Sequence, residues 1–312
     1  MSEIEKSGLK SQLETKSPRD ALREEIKLVH TTSYIDLVKR VAESGGGHLD
    51  MDTALSRSSY DAALRAAGAL LESVDRILSG DIGRAFCLVR PPGHHALPSR
   101  GMGFCLFNNV AIAAKYAVSK KGLERVMIID WDAHHGNGTQ DIFYEDPSVL
   151  YVSLHQYPHY PGTGWVDEIG SGQARGTTIN FPFPPGTGED VYLKAFEEVI
   201  IPVGKQFNPD FVMISAGYDG HALDLLCSMG LVDSSYRKMT DMIVEMANEC
   251  CGGKILVTLE GGYNLEAQAR SIVQTISGLI GADVEAKDGE PPGTVYSDRA
   301  FSIIEQAKNL RA

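Results

Sequence analysis

The stretch VMIIDWDAHHGNGTQ (126–140) starts as a buried strand would and then places Asp130, Asp132, His134 and His135 in quick succession. Each of these side chains binds metals or carries protons, and each is costly to bury without a partner. Asp132 and His134 are separated by one residue, so in an extended segment their side chains share a side. Asp219 in SAGYDGH offers a third ligand. Two carboxylates and one imidazole suit Zn2+ or Fe2+, and three protein ligands leave room for water and substrate; a structural zinc site would more often be closed by cysteines. His94 and His95 in RPPGHHA supply a general base and a partner for an activated water. Asp130 is placed to orient one of the imidazoles through its Nδ1 hydrogen. Tyr263 in EGGYN carries a hydroxyl suited to a developing oxyanion. Taken together these groups describe hydrolysis of an amide or ester. Taken singly each has a plainer reading, since an aspartate after a strand commonly caps or turns the chain and Gly-Gly-Tyr is an ordinary turn.

What argues for the joint reading is the order of elements that must position these groups. Short apolar runs at Ala85–Val89, Val126–Asp130, Val149–Leu154, Phe211–Ser215 and Ile255–Leu259 have the length and composition of buried parallel strands. Helical patterns lie between them, such as Ser59–Leu78 closed by Gly80 and Ser234–Cys251 closed by Gly252. The stripe Met239, Ile243, Met246, Cys250 in the latter is expected to face the core. Strand alternating with helix predicts an α/β fold with a doubly wound, mainly parallel sheet, whose ligands bind beyond the carboxyl ends of the strands. The loops RPPGHHALPSRGMGF, DWDAHHGNG, AGYDGH and EGGYN each follow one of those strands. No repeat or linker divides the chain, and residues 1–312 are expected to form a single domain.

Composition narrows the setting. The 312 residues are 43% hydrophobic, enough for a substantial core. There are 29 basic against 41 acidic residues and a net charge of −12, which argues against direct binding to nucleic acid and tolerates a cationic substrate. No run is apolar enough to cross a membrane, and the first thirty residues are polar, so an intracellular, most simply cytoplasmic, protein is expected. The five cysteines lack CxxC spacing and predict reduced thiols, not a disulfide framework or a thiolate zinc site.

The segments RPPGHHA, GFCLFNN, DWDAHHGNGTQ, SLHQYPHYPGTG, SAGYDGH and LEGGYN, in this order, resemble the zinc-dependent histone deacetylase family, from about Val29 to Ile280. HHGNG and LEGGYN are similar to the class II branch and its bacterial and archaeal relatives. The resemblance implies an arginase-deacetylase-like α/β fold. It further implies zinc held by Asp132, His134 and Asp219, with His95 as general base and then acid. His94 is implied as its electrostatic partner, backed by Asp130, and Tyr263 as the group that polarises the acetyl carbonyl. Gly103, Phe104 and Tyr160 match the walls of a tunnel for the lysine stem, and Asn137 stands where class I members have aspartate. A potassium ion is implied beside Ser153 and Leu154, on backbone carbonyls of Asp130, Asp132 and His134.

Two departures shape the expectations. Met1 begins in what resembles the family's first helix, so its N-terminal strand and first loop are expected to be missing, and DLLCSMG from Asp224 replaces a more usual Asp-Pro. Leu226 falls where acetylpolyamine deacetylases carry an acidic gatekeeper; an apolar residue favours acetyl-lysine in a peptide or protein. An acetylpolyamine amidohydrolase and a non-catalytic acyl-lysine binding module are the alternatives, the latter disfavoured by the intact chemical groups.

Overall fold

The computed structural model describes residues 1–287 and 291–310. Among these, a short antiparallel hairpin of β1 (Gly46–His48) and β2 (Ala54–Ser56) precedes the main sheet. The main sheet comprises β3 (Arg84–Cys87), β4 (Val126–Asp130), β5 (Val149–Gln156), β6 (Thr178–Phe183), β7 (Phe211–Ala216) and β8 (Ile255–Leu259). All its pairings are parallel, in the order β3-β8-β7-β4-β5-β6.

A parallel sheet is covered on both faces, and its strands alternate between two cores. Val126 and Ile128 of β4, Phe211 and Met213 of β7, and Val149 and Tyr151 of β5 enter one buried cluster. Their neighbours Met127 and Ile129, Val212 and Ile214, and Leu150 and Val152 enter the other. The helix Ser59–Ser79 packs on the first core through Ala63, Ala67, Leu70, Leu71, Val74 and Ile77, spaced for one helical face, and ends at Gly80 in the left-handed region. The helix Asp233–Cys251 lays Tyr236, Met239, Ile243 and Met246 on the second core, as its stripe predicts; Cys250 is only half-buried.

The five expected strands are present within two residues at their ends. β6 is additional. Asn180 and Pro182 interrupt its apolar run, and a proline, lacking an N–H, is tolerated because this strand forms an edge of the sheet. No helix among the described residues is long and apolar enough to cross a membrane.

Candidate active site

The four loops singled out in the sequence leave β3, β8, β7 and β4, which are consecutive neighbours in the sheet. Because the strands are parallel, their carboxyl ends form one continuous ledge. Asp130 closes β4 opposite Ser153 of β5 and Ser215 of β7, and is fully buried. Beyond it the chain bends instead of staying extended as the sequence reading assumed. The Asp132 carboxylate accepts the backbone N–H of His134 at 2.8 Å, and this side chain–backbone bond, not strand alternation, brings the two together.

His134 Nδ1 lies 2.8 Å from Asp219 Oδ2 and 3.1 Å from Asp132 Oδ1. The other oxygens are held by the backbone, Asp219 Oδ1 by Ala133 N and Asp132 Oδ2 by Gly261 N, both at 2.8 Å. Gly261 is required by this approach, since a Cβ there would lie 2.5 Å from Asp219 Oδ2. One ligand atom from each of the three groups falls within 4.8 Å of the others. The donor set and its convergence fit a divalent cation of the zinc or iron type. Burial opposes a charge on His134, but Asp132 and Asp219 outweigh it and hold the ring protonated well above the usual histidine range.

The two other histidines are driven apart in character. His94 Nδ1 donates to Asp130 Oδ2 at 3.0 Å. Burial alone would discharge it; Asp130, with Asp132 and Glu260, raises it instead to about 10. His95 Nδ1 donates to Asn137 Oδ1 at 2.9 Å, leaving Nε2 to accept. Burial, then the charges of His94 and His134, push His95 well below the usual range, so its ring is neutral. A charged imidazole thus sits beside a neutral one, with ring centroids 4.0 Å apart.

These groups line a cavity of about 220 Å³. His94, His95, Asp132, His134 and Tyr263 contribute to it together with Gly103, Phe104, Tyr160 and Leu226; Asp130, Asn137 and Asp219 stand behind. Phe104 and Leu226 are 41% and 51% exposed and mark the mouth. The Tyr160 and His95 rings are perpendicular, with centroids 5.1 Å apart. Tyr263 meets His134 at 6.5 Å and Phe104 at 6.3 Å, and its phenol is kept protonated by burial and by Asp132 and Asp219. Ser153 and Leu154 lie in β5 next to the Asp130–His134 loop, which Gln156 N joins at Ala133 O over 2.9 Å.

Gly103 and Phe104 both adopt positive φ, +57° and +65°. Phe104 is the costlier, because its Cβ crowds the backbone there. At Gly103 a Cβ would lie 2.3 Å from His95 Cδ2. Gly103→Ala should therefore displace the His95 ring, with kcat falling more than the thermal midpoint suggests; steady-state kinetics beside a melting curve decide it.

Several supporting residues escaped the sequence reading. Glu260 accepts the N–H groups of Gly93 at 2.7 Å and His94 at 3.2 Å, and its carboxyl is raised by burial to about 7. Its signal was its place at the carboxyl end of β8. The loop between β1 and β2 braces the cavity wall through Asp52 Oδ1 and Thr53 Oγ1, which accept Gly103 N and Phe104 N at 3.2 Å. Asp224 Oδ2 accepts Tyr263 N at 2.7 Å, so the departing DLLCSMG segment anchors the tyrosine loop.

A parallel α/β sheet carrying two aspartates and a histidine in one cage, a charged and a neutral histidine beside it, and a tyrosine at the same cavity defines a hydrolase. The histidine-and-aspartate pattern runs through the domain whose family model, described as "Histone deacetylase domain", matches residues 1–279, and the chain belongs to this family. It is an amidohydrolase. The chain is 40% identical to a "Probable deacetylase" of Archaeoglobus fulgidus over 94% of its own length and 82% of that protein's. It is 38% identical to a "Histone deacetylase-like amidohydrolase" of Pseudomonas aeruginosa, over 89% and 74%. A crystal structure of the HDA15 HD domain superposes with a TM-score of 0.90 at 36% identity, covering 99% of this chain and 86% of that one.

Proposed function

We propose that the chain removes the acetyl group from N-acetyl-lysine in peptides or proteins, releasing acetate and the free amine. The observation that carries this reading is the cavity itself, whose inner residues are the reacting groups and whose mouth sets Phe104 and Leu226 beside the exposed Asp52, with apolar Leu226 where a polyamine enzyme would place an acid. Asp132, His134 and Asp219 would hold a zinc ion, with iron(II) the alternative, and the ion would supply Lewis-acid polarisation of the acetyl carbonyl and acidification of water. Phe104 and Tyr160 grip the methylene stem. His95 Nε2 takes a proton from the attacking water while His94, held charged by Asp130, stabilises negative charge next to it. The tetrahedral oxyanion accepts a hydrogen bond from Tyr263 Oη. The C–N bond then breaks as His95 returns its proton to the departing amine. Potassium is assigned to the carbonyls of Asp130, Asp132 and His134 beside Ser153 and Leu154, where it would brace the loop. Both cores share one sheet, which supports a single domain, and the reading places the enzyme inside the cell.

Rates on an acetyl-lysine peptide and on acetylspermidine separate the two substrate classes; faster polyamine hydrolysis would overturn the assignment, and no hydrolysis of either would leave a binding module. Tyr263→Phe should keep its metal and fold and lose roughly 10²–10³ in kcat, the worth of one oxyanion donor, with KM little changed. Near-normal turnover with full metal content would remove the tyrosine from the reaction.

A further inference from the structure

His134 has a second edge. While Nδ1 faces Asp132 and Asp219, Nε2 lies 3.7 Å from Cys227 Sγ, and the same sulfur lies 3.6 Å from His159 Nε2. The two imidazoles are stacked, with centroids 4.9 Å apart and planes inclined at 28°, so both nitrogens stand beside one sulfur. The three ligand atoms fall within 4.8 Å of one another. With Zn–S near 2.3 Å and Zn–N near 2.0–2.1 Å, two ligands at the tetrahedral angle are about 3.5–3.6 Å apart. The observed sulfur–nitrogen separations, 3.7 and 3.6 Å, match that spacing. Cys227 is buried and packs at the margin of the core, yet its sulfur faces two ring nitrogens. His134 and His159 both line the cavity, which gives an ion its route in.

We propose that Cys227, His159 and His134 Nε2 form a second, inhibitory site for a thiophilic cation such as Zn2+ or Cd2+. One thiolate with two imidazoles selects soft and borderline ions over Mg2+ or Ca2+. On binding, the Cys227 S–H bond breaks and His134, whose Nδ1 is turned to the cage, gives up its Nε2 proton; both protons pass to solvent, and the thiolate, the bridging imidazolate and the neutral His159 become the ligands. The ion occupies the cavity wall beside Tyr160 and Leu226 and draws on the same imidazole as the aspartate cage, so hydrolysis falls as the free ion rises. The inhibitory role rests on the deacetylase reading; the ion site does not.

The test is a Co2+ titration of the whole chain followed by zinc inhibition. The aspartate cage contains no sulfur, so a sulfur-to-cobalt charge-transfer band in the near ultraviolet reports Cys227. It is expected beyond the first equivalent, absent in Cys227→Ser and weakened in His159→Gln. The half-exposed His159 makes the second variant a safe check on folding. Added Zn2+ should inhibit the unaltered chain, and each variant, compared with its own rate at one equivalent, should need at least about tenfold more, since even outer partners of a metal are worth 10–100-fold in affinity. In Asp219→Asn the band should persist although activity is lost, which separates failure of the cage assignment from failure of this one. No band, or a band surviving Cys227→Ser, overturns the site; a band without inhibition overturns its role.

Discussion

Asp219→Ala, purified without added metal, should yield a folded chain that retains no ion in the aspartate cage and hydrolyses acetyl-lysine peptides no faster than background. Asp219 contributes one of three convergent ligand atoms, and the remaining Asp132 and His134 make an incomplete set for a zinc-type cation. The carboxylate is fully buried and its other oxygen accepts Ala133 N, so alanine also frees the bend that carries Asp132 and His134. Asp219→Asn keeps the volume and one acceptor, and isolates the ligand role. Elemental analysis of both variants, alongside the peptide assay, is the measurement. Full occupancy in both would show that the cation binds elsewhere. Asp132→Ala is expected to behave alike, with the added loss of the bond from His134 N.

His95→Ala should cost about 10²–10⁴ in kcat with metal content unchanged, the usual worth of a positioned acid–base group. His94→Ala should cost less. The two rings touch, but only His95 is neutral, and Asn137 fixes its tautomer so that Nε2 is the acceptor. His94 is already charged by Asp130 and has no proton to take up; its loss removes a field, not a step. Steady-state kinetics on one acetyl-lysine peptide compare the variants directly. Equal or reversed losses would mean that the roles are divided differently.

The legible part of the molecule was the part dictated by short-range chemistry. Five apolar runs and the two glycine-closed helices could be read because burial on both faces leaves a continuous signature. The polar residues that follow four of those runs could be gathered at one edge by topology alone. β6 was lost because Asn180 and Pro182 look like loop residues until an edge position is known for them. The bend at Asp132 reads as extended chain in the sequence, since the hydrogen bond that makes it runs from the His134 N–H to the Asp132 side chain. Asp52, Glu260 and Asp224 act through partners about 50, 170 and 40 positions away, distances at which a single sequence carries no pairing signal.

The proton that His134 holds between Asp132 and Asp219 has to leave before an ion can take its place. Loading the cage is therefore an acid dissociation as much as a binding event. With one proton exchanged per ion, apparent affinity should drop about tenfold for each unit that the pH falls, and uptake should acidify an unbuffered solution. Uptake without proton release would show that the ring was not the acid. On the proposed ligand set, acidification and metal removal would empty the cage alike, and a return to neutral pH with the ion present would refill it.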